Sequence, residues 1–179
     1  MNFDHEKFSE LLLYIADQSV DDPDFGATKL NKILFFSDFL AYSEFGAPVT
    51  GAVYQKLDHG PAPKPLLPIQ AELIKEGAAQ VVPVARARFT QKRLVALRAP
   101  KLDSFSADEV SLVDDIIAQL RGRTAVDVSR ISHDWSLGWQ VAKTGEEIPY
   151  MTAFWQAPSE QSAAVVRAEE LSTELDLVS

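Results

Sequence analysis

Three histidines are the side chains of this sequence best suited to transfer protons or bind a metal near neutral pH. One lies in an acidic N-terminal segment, His59 precedes Gly60, and His133 stands between Ser132 and Asp134. Neighbouring residues point in different directions, so Ser132, His133 and Asp134 do not form a catalytic relay. A metal site built from His59, His133 and a carboxylate lacks the local ligand spacing of known metal motifs. The alternative is that both histidines bond backbone groups and hold loops against the core.

Other catalytic motifs are also missing from the sequence. It has no cysteine, and therefore no thiol nucleophile, disulfide or thiolate metal site. The glycine-rich phosphate-binding motifs GxGxxG and GxxxxGK do not occur. The acidic pairs Asp114-Asp115 and Glu146-Glu147 are adjacent in the chain, so their carboxylates face different ways and make poor acid–base dyads. We therefore expect no catalytic residue, no metal site and no cofactor, and a binding or scaffold domain rather than an enzyme.

Length and composition indicate an ordinary folded protein. The 179 residues allow one domain, or one domain with a tail. With 46% hydrophobic and 24% charged residues, the composition is typical of a globular protein and not of a disordered one. No segment approaches the roughly 20 apolar residues that span a bilayer, and the acidic N-terminal residues argue against a signal peptide. We expect a cytoplasmic protein that does not enter a membrane.

The net charge of −9 argues against a dedicated nucleic-acid-binding protein, because such binding depends on lysine and arginine neutralising phosphates. The charges are unevenly spread along the chain. Residues 1–25 contain seven acids and one base, whereas residues 86–101 contain no acid and six bases, Arg86, Arg88, Lys92, Arg93, Arg98 and Lys101. We call residues 86–101 the basic strip. Three interpretations of it are open: it contacts an acidic partner, it contacts the acidic N-terminal part of its own chain, or it forms a solvent-exposed strand face.

One helix is predicted to form the centre of the core. The segment 27–45 is followed by Gly46, a typical helix stop. As a helix it carries apolar side chains on nearly all of its faces, including Phe35, Phe36 and Phe39. This pattern also argues against a winged-helix DNA-binding protein, because its recognition helix would have to expose these phenylalanines. Apolar spacing and capping signals predict further helices at about 8–20, 65–76, 107–122 and 124–132.

The remaining regular structure is predicted to be a β-hairpin. Residues 80–98 contain two runs with strand-like alternation, which predict a hairpin that turns near 90–92. Residues 52–57 could form a further short strand. The fold class is therefore mainly α (α+β), a compact helical domain around the buried central helix with one hairpin. We expect residues 1–157 to form this domain and residues 158–179 to form an acidic C-terminal helix or tail.

Three segments of the chain, taken together, resemble a known family. The first, 28–36, reads TKLNKILFF; the second, 46–63, ends in HGPAP; and the third, 131–149, begins with ISHD. Their order and spacing are similar to those of the Panacea domain, the SocA-like antitoxin domain of bacterial toxin–antitoxin systems. The resemblance covers about residues 5–157, and His59 stands where many relatives have a tyrosine before Gly-Pro.

The resemblance implies a non-enzymatic antitoxin that neutralises a cognate protein toxin, encoded by the adjacent gene, through direct binding. It implies a mode of action and not a particular toxin, because the domain accompanies unrelated toxins. Some relatives add a helix-turn-helix module, but here the domain starts close to Met1, so we expect no direct DNA binding. Two alternatives remain: a transcriptional regulator or nucleic-acid-binding protein that uses the basic hairpin, and a phage or prophage accessory protein without a toxin partner.

Ten residues are candidates for either the toxin interface or its supporting framework. Lys29 is expected to pair with a nearby acid such as Asp58, and the motif residues either fix the loops or form a binding surface. A domain that serves unrelated toxins should keep its framework and vary its contacts. The hairpin arginines and the acidic tail from Glu160 are therefore the preferred interface candidates. The ten residues are Lys29, Lys32, His59, Gly60, Pro61, Arg86, Arg88, Arg93, His133 and Trp135.

Overall fold

The fold is built from helices with two small antiparallel sheets. A computed structural model describes residues 2–86 and 89–155. In chain order the elements are α1 (His5–Gln18), α2 (Ala27–Phe45), β1 (Tyr54–Leu57), β2 (Gly60–Pro63), α3 (Leu66–Lys75), β3 (Ala79–Ala85), β4 (Thr90–Ala96), α4 (Ala107–Leu120), α5 (Ala125–Trp135), α6 (Leu137–Val141), β5 (Glu147–Ile148) and a 3-10 helix (Tyr150–Phe154). The predicted mainly α, α+β class is confirmed. Within these described residues, no helix has both the length and the apolar character needed to cross a membrane.

Helix α2 occupies the centre of the core and has the predicted bounds. It ends at Gly46, whose φ of +79° is a left-handed conformation that glycine adopts without strain. Ile33, Leu34, Phe35 and Phe39 are completely or almost completely buried. The helix packs against α1, α4, α5 and β2, which explains why it is apolar on every side. Because these side chains are buried, α2 cannot serve as the recognition helix of a winged-helix protein.

A three-stranded antiparallel sheet follows α2, with β1 in the middle and β2 and β5 at its edges. Tyr54 on β1 pairs with Pro63 on one side and with Ile148 on the other. The sequence predicts β1 within 52–57 but neither of its partners. Strand β2 contains two prolines in four residues and β5 has only two residues, so neither carries an alternating pattern. Proline is tolerated in β2 because that strand lies at the sheet edge.

The predicted β-hairpin is confirmed as β3 and β4, paired from Ala79 with Ala96 to Ala85 with Thr90. The predicted turn near 90–92 is wrong, because these residues already belong to β4. The polar run Thr-Gln-Lys resembles a turn in the sequence but forms part of an exposed strand edge. The connection lies earlier, where the backbone N–H of Arg86 donates to the carbonyl of Phe89 at 2.9 Å.

Part of the basic strip contacts the acidic N-terminal part of the same chain. Arg98 donates two hydrogen bonds to the Glu10 carboxylate, at 2.8 and 2.6 Å, and the backbone N–H of Lys101 donates to it at 2.7 Å. Burial alone would raise the pKa of Glu10, but the hydrogen bonds from Arg98 and Lys101 hold it below its usual value. Arg93 donates to backbone carbonyls within residues 19–22. The intramolecular role is therefore confirmed for Arg93 and Arg98.

Asp38, on α2, is fully buried and ties this helix to the following loop. Its carboxyl group accepts hydrogen bonds from the backbone N–H and the hydroxyl of Thr50, both at 2.6 Å. The Tyr54 hydroxyl lies 2.9 Å from the same carboxyl group and 2.8 Å from the Leu34 carbonyl. Because the hydroxyl has one proton, it can donate to only one of these two oxygens. A protonated Asp38 that donates to the Tyr54 oxygen satisfies both contacts. Burial, which raises the pKa of Asp38, favours this neutral form.

Candidate functional site

The three motif segments meet at one place in the fold. From α2, Lys32 donates from Nζ to the carbonyl oxygen of Pro61 on β2 at 3.1 Å. Gly60 has a φ of +106°, and a Cβ at this position would lie 2.7 Å from Lys32 Nζ and 2.9 Å from Ser132 Oγ on α5. Glycine is required here by its backbone conformation and by this close approach. We call Lys32, Gly60, Pro61, Ser132 and His133 the motif junction.

Substitution Gly60→Ala tests this packing. We expect it to lower the free energy of unfolding by about 3 kcal/mol, because it adds backbone strain and displaces buried side chains. Gly145→Ala is a matched control, since Gly145 has a φ of +85° but a Cβ at its position would meet no other part of the described chain within 4 Å. The control should lose only about 1 kcal/mol from backbone strain. Urea denaturation of both variants measures the difference, and equal losses would contradict the packing role.

Lys29 and Lys32 are both buried but have different partners. Lys29 forms an ion pair with Asp22 at 2.6 Å, so the expected pairing with Asp58 is wrong. The two lysines are one helical turn apart, but Lys29 points towards the α1–α2 connection and Lys32 towards β2. Among the described residues, no carboxylate lies within 4.0 Å of the Lys32 ammonium. Burial lowers the pKa of Lys32 to about 7.

His133 is held by stacking and packing. Its ring lies flat on Trp139, with a centroid distance of 3.7 Å and an interplanar angle of 5°. Trp139 Nε1 donates to the carbonyl of Leu57 at 3.0 Å, and Ser129 Oγ donates to that of His59 at 3.3 Å, so α5 and α6 fix the β1–β2 turn. Burial lowers the pKa of His133, which keeps the ring neutral near pH 7. Its Nε2 is buried and has no hydrogen-bond partner in the described part of the chain.

Three adjoining grooves surround the N-terminal end of α2 and share Thr28 as a lining residue. The first, about 470 Å³, lies between α2, the β1–β2 hairpin and the start of α3. The second, about 450 Å³, lies between the β1–β2 turn and α5, and the third, about 470 Å³, lies between α2, β4 and α5. Four exposed apolar residues line these grooves: Leu57, Leu67, Phe89 and Val126. Together with Thr28 and His59, we call them the groove face.

The histidines of the grooves are the groups best suited to proton transfer or metal binding. His59 and His133 both line the second groove, together with Asp134. However, in residues 2–86 and 89–155 no group of three or more histidines or carboxylates is arranged to hold a metal ion. The neutral His133 is stacked on Trp139, and no carboxylate of these residues bonds its ring to form a relay. The grooves offer apolar walls with a few polar groups, which suits the recognition of side chains.

Two of the hairpin arginines, Arg86 and Arg93, and Trp135 have internal contacts. Arg93 donates to three backbone carbonyls and lies 5.6 Å above the ring of Phe25, so it supports the α1–α2 connection. Arg86 donates to the side chain of Gln91 within the hairpin, while Arg88 lies outside the described residues, as does the tail from 156. The indole of Trp135 packs edge-on against Phe35 and Phe36 in the core, with centroid distances of 5.7 and 5.6 Å.

Arg93→Ala is therefore expected to destabilise the protein. Loss of its three hydrogen bonds should lower the free energy of unfolding by about 2 kcal/mol, because hydrogen bonds from a charged donor are stronger than those from a neutral one. Arg86→Ala, which removes only a contact within the exposed hairpin, should change it by less than about 0.5 kcal/mol. Thermal unfolding of the two variants makes the comparison. A loss from Arg86→Ala as large as that from Arg93→Ala would refute the proposed difference.

The sequence did not single out the apolar residues of the groove face. Phe89 lies in the hairpin connection, and Leu67 and Val126 lie in the first turns of α3 and α5. Their exposure depends on what packs beside them, which a single sequence does not reveal. The one usable signal is that Val126 stands away from the stripe formed by Val128 and Ser132, which are buried.

Comparison with known families agrees with this arrangement. The family described as antitoxin SocA-like, Panacea domain, has a model that matches residues 30–140, well over half of the chain. The match runs from α2 to α6 and contains every residue of the motif junction. No curated protein and no solved structure matches the chain. On the extent of the family match, the chain belongs to the SocA-like antitoxin family that carries the Panacea domain.

Proposed function

We propose that this chain neutralises a cognate protein toxin by direct binding, without catalysis, and that the groove face makes the contact. The family is one of antitoxins, which gives the class of function. The observation that carries the proposal is the groove face itself. It combines three adjoining grooves with four exposed apolar side chains on one side of the molecule. Exposed apolar side chains that line grooves are suited to binding the side chains of another protein.

The size of the grooves suits anchoring side chains of a partner. Stable protein complexes bury about 800 Å² on each partner, and a few residues inserted into pockets supply most of the affinity. Each of the three grooves has a volume of about 450 to 470 Å³, enough for one or more large side chains. Binding of this kind blocks or distorts a toxin without any catalytic group in the antitoxin. This agrees with the framework roles of Lys29, Arg93 and Trp135.

The hairpin contributes to this surface through its connection rather than through Arg93. Phe89 and Lys92 line the third groove, next to Val126 on α5. Charges around the grooves are mixed: Arg130 and Asp134 line the second groove, and Lys92 and Asp24 line the third. The local surface is therefore not strongly acidic, although the whole chain carries a charge of −9. If the toxin binds nucleic acid or a nucleotide and is therefore basic, the net negative charge of this protein attracts it at long range, and the groove face provides the short-range fit.

Co-expression with the protein encoded by the adjacent gene tests the proposal. We expect the neighbour alone to arrest bacterial growth, and this chain to restore growth and to co-purify with it as a stable complex. A chain that restores growth without forming a complex would contradict neutralisation by direct binding. A harmless neighbour, or one that never associates with this chain, would contradict the assignment of that protein as the toxin. Mutations of the groove face then locate the contact.

A further inference from the structure

Lys32 is a buried lysine whose amino group meets no carboxylate of the described residues within 4.0 Å. Its exposed fraction is 2%, and the only hydrogen bond found for its ammonium is the one to the Pro61 carbonyl at 3.1 Å, among the described residues. Lys29, one turn earlier on the same helix, is equally buried and has the Asp22 carboxylate at 2.6 Å. Fully buried lysines are ordinarily paired in this way, because an isolated charge loses its hydration without compensation. The two lysines therefore differ in their partners: Lys29 has a carboxylate that compensates its charge, whereas Lys32 has only a backbone carbonyl among the described residues.

The first groove borders this part of the motif junction. Lys32 and Gly60 both line it, and the apolar side chains of Leu57, Leu66 and Leu67 form much of its wall. The other polar and charged lining residues are Thr28, Asn31, Gln55, Asp58, His59, Lys64 and Thr144. The volume of about 470 Å³ exceeds that of any single amino-acid side chain, and it falls in the range of ordinary ligand pockets.

We propose that the first groove receives a carboxylate of the toxin, which pairs with the ammonium of Lys32. This inference rests on the proposed function, and it names the group that the antitoxin recognises. Within the described part of the chain, the Lys32 ammonium uses one of its three N–H donors, for Pro61, and the other two match a single negative charge. Lys64, the other lysine of the groove, already pairs with Glu147 at 2.7 Å, and Asp58 at the rim repels additional negative charge. A monoanion with an aliphatic stem therefore fits better than a phosphate.

The proposal differs from a purely structural role in what it predicts for Lys32→Met. If Lys32 served only to hold Pro61, its loss would destabilise the free protein and leave toxin binding intact in the folded fraction. If the ammonium is kept for a partner, methionine removes an unpaired buried charge at nearly constant volume. The free variant should then be as stable as the wild type or more stable, and its toxin complex should be weaker. Lys29→Met is the contrasting variant, because it leaves Asp22 buried without its partner.

The test measures binding of the toxin encoded by the adjacent gene, with calorimetry, to the full-length wild type, Lys32→Met and Lys143→Met. We expect Kd to rise at least about 30-fold for Lys32→Met and less than threefold for Lys143→Met, which removes an exposed lysine outside the grooves. Wild-type affinity in Lys32→Met would overturn the carboxylate inference alone. If this chain restores growth in the presence of the toxin but the wild type does not bind it, the proposed function and this inference are overturned together.

Two further arms identify the carboxylate and protect the test against poor folding. Asp→Asn and Glu→Gln substitutions in the toxin test whether a side-chain carboxylate binds Lys32. Amidation of the toxin's C-terminus tests whether the C-terminal carboxylate does. We expect one of these changes to reproduce the loss seen with Lys32→Met, and no effect from any of them would overturn the proposal. If Lys32→Met does not fold, the pairing can be tested in the wild type by measuring the pKa of Lys32 by NMR titration with and without the toxin. Its pKa should rise when the toxin binds, and an unchanged pKa would refute the pairing.

Discussion

Replacement of Asp38 by alanine is expected to be among the most destabilising single substitutions in this protein, costing about 3 to 5 kcal/mol of unfolding free energy. The carboxyl group lies inside the core and accepts two hydrogen bonds from Thr50, at 2.6 Å each, beside the Tyr54 hydroxyl. Alanine would leave the Thr50 N–H and hydroxyl without their partner and create a cavity next to α2. Two mechanisms of destabilisation therefore act at the same site.

Asp38→Asn is the matched control, because it keeps the shape and one acceptor oxygen. If the native carboxyl is protonated, an amide that donates to the Tyr54 oxygen replaces it closely, and the loss should stay below about 2 kcal/mol. Urea denaturation at pH 7 of the wild type and both variants gives the ranking. A loss from Asp38→Asn equal to that from Asp38→Ala would show that the native group is a carboxylate and not a neutral acid.

The pH dependence provides a second check on the same group. Burial raises the pKa of Asp38 in the folded state above that of the unfolded chain. The stability that the neutral carboxyl contributes is therefore fully present below the unfolded-state pKa and is lost as the pH rises through the folded-state pKa. Asp38→Asn has no such titration. The difference in unfolding free energy, wild type minus Asp38→Asn, should decline with rising pH in this window.

Local signals in the sequence predicted the elements that depend on local interactions. Helix α2 was predictable because its apolar run and its glycine stop lie within one segment. The start of α4 was predictable because Ser106 and Glu109 form a capping box, which the structure confirms with hydrogen bonds of 3.1 and 2.8 Å. Strand β5 was not predictable, because its two residues become a strand only by pairing with β1, more than 90 residues earlier in the chain.

The candidate site depended more strongly on tertiary structure. Helical spacing places Lys29 and Lys32 near the same face of α2, but it does not reveal that one meets Asp22 and the other meets no carboxylate of the described chain. Likewise, the basic strip is visible in the sequence, whereas its contacts with Glu10 and with the α1–α2 connection require the folded chain. The meeting of the three motif segments at one place is likewise a tertiary feature, which their order and spacing in the sequence do not reveal.

Introducing acidic groups into the groove face is expected to abolish toxin neutralisation. The exposed fractions of Leu67 and Val126 are 73% and 78%, so their replacement removes little buried area from the free protein. Each occupies the second position of its helix, where an aspartate interacts favourably with the helix dipole. The double variant Leu67→Asp, Val126→Asp should therefore fold with near-wild-type stability. In a complex, however, both carboxylates would be forced into an apolar contact.

Loss of two anchoring contacts at about 2 kcal/mol each, about 4 kcal/mol together, corresponds to an increase in Kd of about 700-fold. Met151→Asp is the control, because Met151 is an exposed apolar residue in the first turn of the 3-10 helix and lines none of the three grooves. Growth rescue on co-expression with the toxin, followed by affinity measurement on the purified proteins, compares the variants. Rescue by Met151→Asp but not by the double variant would locate the contact on the groove face. Full rescue by the double variant would move the interface elsewhere, since two buried charges cannot be accommodated in a tight apolar contact without a large loss of affinity.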